Sequence, residues 1–149
     1  MAAWAYPAPF DIYNVHPADL DLFLRRSPTG EGYYPALDQD GAVVAFAVFG
    51  AEARVRGQEP LDGVLDVGLG VHPERMSQGV ASELLDQVLA LGRELFRPHA
   101  IRTAVAMFNE RSMALCRKAG LRPTREFSGP SDRAFAELQV PLVTTESAR

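Results

Sequence analysis

Cysteine is almost absent from this 149-residue chain. With Cys116 alone, no internal disulfide can form, and such usage fits a reducing compartment. Histidine is nearly as scarce, and His16, His72 and His99 show no ligand spacing, so no metal site is expected. Positive charge is also short: 15 Lys and Arg face 19 Asp and Glu, a formal charge of -4. Nucleic-acid binding needs a basic footprint, and no dense basic run occurs, so no nucleic-acid partner is expected. The mild acidity favours a cationic partner instead, such as a protonated amine. The longest apolar stretch, residues 41–50, falls far short of the roughly 20 needed to span a bilayer. The first ten residues hold no basic segment followed by an apolar one. No membrane association is expected, and the protein is expected to be soluble and cytoplasmic.

Apolar residues make up 47% of the chain, enough for one buried core without a metal or disulfide staple. No internal repeat, heptad array or composition break marks a boundary, so residues 1–149 are expected to form one domain. After a proline-interrupted lead-in over residues 1–10, a short strand is expected over 11–15. A helix should follow from Pro17, with Leu20, Phe23 and Leu24 on one face. Residues 32–37 and 43–49 read as two strands joined by the polar turn Asp38-Gln39-Asp40-Gly41, a hairpin signal. Residues 51–63 read as a charged loop and 64–71 as a strand. From Gln78 to Phe96 the period becomes helical, with Val80, Leu84, Val88, Leu91 and Leu95 in one stripe. A β-prone segment over 100–106, a helix over 109–119 stopped by Gly120, and a final strand over 135–142 complete the pattern. Alternating strands and helices imply an α/β fold with a mixed sheet and helices on both faces.

The chemistry is concentrated in residues 66–81, where a strand enters a short turn that opens the long helix. Ser77, Gly79, Ala81 and Ser82 are small, and the first N–H groups of a helix have no intrahelical partner, so this turn suits an anion. The alternative is close helix–sheet packing at Gly79 and Ala81, with Ser77 an ordinary N-cap. No Gly-rich run ending in Lys-Ser or Lys-Thr is present, and Gly68 and Gly70 lie too early for a dinucleotide fingerprint.

The stretch Gln78-Gly79-Val80-Ala81 resembles the acyl-CoA pyrophosphate loop of the GNAT N-acetyltransferase superfamily, written Arg/Gln-x-x-Gly-x-Gly/Ala, with Met76 where its first basic or amide residue usually stands. Residues 109–121, from Asn109 through Ser112, Cys116 and Lys118 to Gly120-Leu121, resemble the second signature of that family. The resemblance implies a GNAT-like acyl-CoA-binding fold with a mixed, mostly antiparallel central sheet. It implies backbone binding of the pyrophosphate by Met76, Ser77, Gln78, Gly79, Val80 and Ala81, with Ser82 beside them. The pantetheine arm would lie along Leu69, Gly70 and Val71, with Asn109 and Ser112 contacting the cofactor or ordering their helix. Asn109 alternatively reads as a plain N-cap.

By this resemblance the chain is expected to transfer an acetyl group from acetyl-CoA to a primary amine of a small molecule, peptide or protein. The alternative is an acyl-CoA-binding sensor or partner module with weak or no turnover. Asp66 is the preferred candidate base, ahead of Glu52 and Asp62; otherwise it is a polar strand residue. Cys116 stands where many members place a tyrosine proposed as general acid. It is either a proton donor or a small buried hydrophobe. Acceptor walls are expected from residues 19–26, 51–63 and 127–135. A homodimer is compatible with the sequence.

Overall fold

The structure, a computed structural model, describes residues 30–75 and 79–142. The expected strand over 11–15, the helix from Pro17, and Met76, Ser77 and Gln78 lie outside the described residues. Six strands and two α-helices follow in the order β1 (Gly32–Leu37), β2 (Val43–Phe49), β3 (Val64–Val71), α1 (Val80–Phe96), β4 (Ala100–Ala106), α2 (Glu110–Lys118), β5 (Arg122–Ser128) and β6 (Ala134–Pro141). They form one sheet in the order β1-β2-β3-β4-β6-β5. Every neighbouring pair is antiparallel except β3 and β4, which run parallel through the α1 crossover. This is the mixed, mostly antiparallel sheet expected from the sequence. Helical segments cover both faces: α1 and α2 pack on one, and the 3-10 turn Gly50–Ala53 leads the chain onto the other.

Local chemistry sets the element boundaries. In the β1–β2 turn the Asp38 carboxylate accepts the N–H groups of Asp40 and Ala42, both at 2.9 Å. Helix α1 runs from Val80, and Gly79 before it takes φ 80°, outside the right-handed helical region. Helix α2 ends in a Schellman arrangement, with Leu121 N–H on the Cys116 carbonyl and Gly120 N–H on that of Arg117, both at 3.0 Å. The required left-handed residue is Gly120, φ 101°. Strand β5 was not legible in the sequence: Arg122, Pro123, Arg125 and Glu126 are exposed on a sheet edge, where charge and proline guard against unwanted pairing.

The ionic groups of the core are confined to one sheet face. Toward the α-helices, Phe49, Leu65, Val67, Ile101, Val105 and Leu138 join Leu85, Val88 and Leu89 of α1 and Met113 and Cys116 of α2 in one apolar core. Helix α1 approaches so closely at Gly92 that a Cβ there would stand 2.9 Å from the Leu65 side chain. Since side chains alternate along a strand, Asp66, between Leu65 and Val67, points to the other face. There Arg102 grips it with Nε at 2.6 Å and an NH2 at 3.0 Å, and Arg54 adds a bond at 3.1 Å. Arg102 also reaches Glu137 at 3.5 Å, and Glu137 is held by Arg125 at 2.9 Å and by Gln58 at 3.3 Å. Through Arg54, Gln58 and the Glu59 carbonyl, this network pins the 51–63 loop to the sheet.

Burial of Asp66, Arg102 and Glu137 is tolerated because each is paired; removing one partner of such a set typically costs about 3–5 kcal/mol. Burial alone would raise the Glu137 pKa, but hydrogen bonds from Arg125 and Gln58 and the charges of Arg102 and Arg125 outweigh it and hold the carboxyl below its ordinary range. The folded state therefore releases this proton more readily than the unfolded chain. Its stabilisation is present above the unfolded carboxylate's pKa and is lost as pH falls through the depressed folded value. Thermal unfolding followed from about pH 7 to about pH 3 should show wild type losing stability in acid. Glu137→Gln should be less stable by roughly 2–4 kcal/mol at neutral pH, with a shallower acid loss.

Candidate acyl-CoA cleft

Strands β3 and β4 pair over only three rungs, from Val64 with Ala100 to Asp66 with Arg102. Beyond them β3 continues against β2 alone and β4 against β6 alone, so the sheet opens into a fork. The fork forms one wall system of a cavity of about 600 Å³, closed on the helical face by the start of α1 and the inner side of α2. That volume lies in the ordinary range for small-molecule sites.

At the α1 end the cleft meets the N-terminus of that helix. Gly79 has no side chain to cap with, and the first helical bond is Glu83 N–H to the Gly79 carbonyl at 3.3 Å. The amides of residues 80–82 therefore have no partner within the helix, and the helix dipole favours an anion there. Ala81 and Ser82 line the cavity, and among the described residues a Cβ on Gly79 would meet nothing within 4 Å. Three cationic residues, Arg75, Arg111 and Lys118, also line the cleft. Among the described lining residues there is no carboxylate and no histidine. The protein is acidic overall, but this cavity is built for negative charge at its helical end and for an apolar chain along its strand walls.

The structure brings Leu69, Gly70, Val71, Gly79, Ala81, Ser82, Asn109, Ser112 and Cys116 to this one cleft. Val80 starts α1 without lining it. Asn109 is the N-cap of α2, its side-chain oxygen accepting the Ser112 N–H at 3.2 Å, so the capping reading holds while the residue stays in the cleft wall. Gly70 is a glycine of close approach, because a Cβ there would run into the Phe46 ring.

Asp66 requires correction. It does not line the cleft; it is 2% exposed and accepts three hydrogen bonds from Arg102 and Arg54. A carboxylate so buried and so engaged is not presented to the described cleft. Glu52 and Asp62 are exposed and also lie outside the cleft lining. Cys116 does line it, from within the apolar core, and desolvation pushes its thiol up to about 11. Sequence reasoning missed Arg75, Arg111 and Lys118 as cleft cations, and Phe46 and Thr103 as lining residues. A signal was present for two of them: Arg111, Leu115 and Lys118 follow the four- and three-residue spacing of one helical stripe.

A family model described as the acetyltransferase (GNAT) family matches residues 1–121. No curated protein matches the chain. Among solved structures, the chain is similar to a provisionally assigned phosphinothricin N-acetyltransferase at 20% identity and TM-score 0.72, covering 87% of this chain and 83% of that one. It is similar to yncA, a provisionally assigned acetyltransferase from Salmonella typhimurium solved with its cofactor acetyl-CoA (20% identity, TM-score 0.63, 76% and 66% covered). Mutant forms of the spermidine/spermine N-acetyltransferase SpeG from Vibrio cholerae match at 14% identity and TM-score 0.60, with 74% and 66% covered. At such identities these likenesses establish the fold.

Two outcomes test the cleft. Any residue other than glycine at position 79 carries backbone strain of roughly 1–2 kcal/mol, so Gly79→Ala is the control for Gly79→Glu. Relative to the alanine variant, the glutamate variant should lose about tenfold more acetyl-CoA affinity by titration calorimetry, roughly 1.4 kcal/mol, because it adds bulk and negative charge to the anion approach. Iodoacetamide attacks the thiolate, and a thiol shifted from 9.0 to about 11 has about a hundredth of the thiolate at a given pH below both values. Mass spectrometry should find Cys116 alkylated at least about tenfold more slowly at pH 8 in the native protein than in urea.

Proposed function

The chain belongs to the acetyltransferase (GNAT) family, and on that premise we propose that it transfers an acetyl group from acetyl-CoA to a primary amine of a small molecule, peptide or protein. The observation that carries this reading is the cleft at the strand fork, with a helix N-terminus and three cations at hand and no acid in its described lining. The acyl thioester supplies the activated carbonyl. The amides opening α1 would hold the pyrophosphate, with Arg75, Arg111 and Lys118 as nearby counter-charges. The strand edges at Leu69, Gly70 and Val71 would lie along the pantetheine, and a β3 backbone N–H near Gly70 or Val71 would meet the negative charge growing on the carbonyl oxygen. The mild acidity of the protein outside the cleft suits an amine acceptor.

In this reading Cys116 packs rather than donates a proton. Protonating a leaving thiolate of ordinary pKa near 8.5 from a thiol near 11 is uphill by about 3 kcal/mol. Cys116→Ala should accordingly change single-turnover acetyl transfer by less than about threefold, while lowering stability by about 1 kcal/mol. In this reading the departing thiolate is protonated by water, and the acceptor is deprotonated by water or by a group outside the described cleft lining.

The lack of an acid–base residue in that lining favours one second reading, an acyl-CoA-binding partner module with weak or no turnover. Coenzyme A release measured over a panel of amines, amino acids and peptides decides between them. Thioester consumption dependent on an amine is expected. Tight acetyl-CoA binding with no release across the panel would favour the binding module.

A further inference from the structure

The fork has a defined starting point, and side-chain bridges stand on both faces of the sheet where it begins. On the last paired rung Arg102 holds Asp66 through two bonds, at 2.6 and 3.0 Å, on the ionic face. One residue further, the alternation of side chains brings Thr103 to the helical face, where its hydroxyl donates to the Val67 carbonyl at 2.8 Å. Val67 and Thr103 are the first residues of their strands that no longer pair across the fork. That carbonyl is turned toward β4. In a continued ladder, main-chain bonds would draw the strands to about 4.8 Å apart. A hydroxyl on a side-chain stem satisfies the carbonyl while letting the two backbones separate. Thr103 itself lines the cleft, whereas Asp66 and Arg102 do not.

We propose that Asp66, Arg102 and Thr103 form a two-sided latch that fixes where β3 and β4 part. They are thereby positioning residues for the strand edges that take the pantetheine arm. The ion pair stops the fork from running further down the sheet, since separating Asp66 from Arg102 would break the two-pronged buried pair and leave Asp66 held by Arg54 alone and Arg102 by Glu137 and the Glu59 carbonyl. The Thr103 hydroxyl stops it from zipping shut. The latch rests on the acyl-CoA reading of the cleft, but assigns its three members no reacting atom and no phosphate contact.

The test separates the two parts of the ligand. Coenzyme A uses both the strand edges and the helix terminus, whereas adenosine 3′,5′-bisphosphate, which lacks the pantetheine arm, does not use the strand edges. Thr103→Val, which keeps the side-chain shape and removes the hydroxyl, should weaken coenzyme A binding by about fivefold or more in titration calorimetry. Its affinity for the bisphosphate should remain within about twofold of wild type, and Thr103→Ser should restore coenzyme A binding. Arg102→Lys keeps the charge but loses the two-pronged grip, and should show the same selective loss, with unfolding curves recorded alongside to confirm that the fold persists. Loss of affinity for both probes alike, or for neither, would overturn the latch. Failure of the wild-type protein to bind either probe would instead remove the reading of the cleft itself, and the latch with it.

Discussion

The brief parallel pairing of β3 with β4 is the constraint on which the rest of the structure depends. Three rungs, ending at Asp66 and Arg102, join the β1–β3 half of the sheet to the β4–β6 half. A longer ladder would close the cleft. The α1 crossover that parallel strands require also delivers its N-terminus to the mouth of the fork. The opening in the sheet and the anion-favouring helix start thus share one topological origin.

The asymmetry of the two sheet faces follows from the same short ladder. The helical face is apolar and close-packed, with Gly92 allowing α1 to lie directly over Leu65, Phe49 and Ile101. The other face carries a network of three arginines and two carboxylates tied to the 51–63 loop. With one more cation than anion, the network has no spare carboxylate to offer a substrate. Negative charge predominates over the chain as a whole, yet the cleft is lined by Arg75, Arg111 and Lys118 without an acid among its described residues. Net charge and cleft charge have opposite signs, and it is the local one that a ligand meets.

Cys116 shows how a shared position can carry altered chemistry. The family resemblance places a phenol there, and a thiol has the lower pKa in water. Burial against Leu85, Val105 and Met113 pushes the thiol up to about 11, because the low-dielectric core penalises the thiolate. What remains is a small apolar side chain between α2 and the fork.

The sequence by itself determined the element pattern, through hydrophobic periodicity and turn residues. The β1–β2 hairpin, β3, both helices and β4 follow from β-prone runs, the polar turn from Asp38 to Gly41, the 3.6-residue stripe and Gly120. It also determined part of the cleft wall, because the small residues of the helix-opening turn and the Asn109 cap are local signals with local causes. Strand β5 was hidden because an edge strand is stabilised by its neighbour β6, and its own residues carry charge and proline. Only the tertiary structure decided the fate of Asp66. Its position on the cofactor strand suggested a base, but side-chain alternation turned it away from the helical face and toward Arg102, a residue 36 positions distant in sequence. The cationic lining was likewise assembled from separate segments. Pairing between distant charges depends on which strands become neighbours, and strand order is a property of the folded sheet rather than of any one stretch of chain.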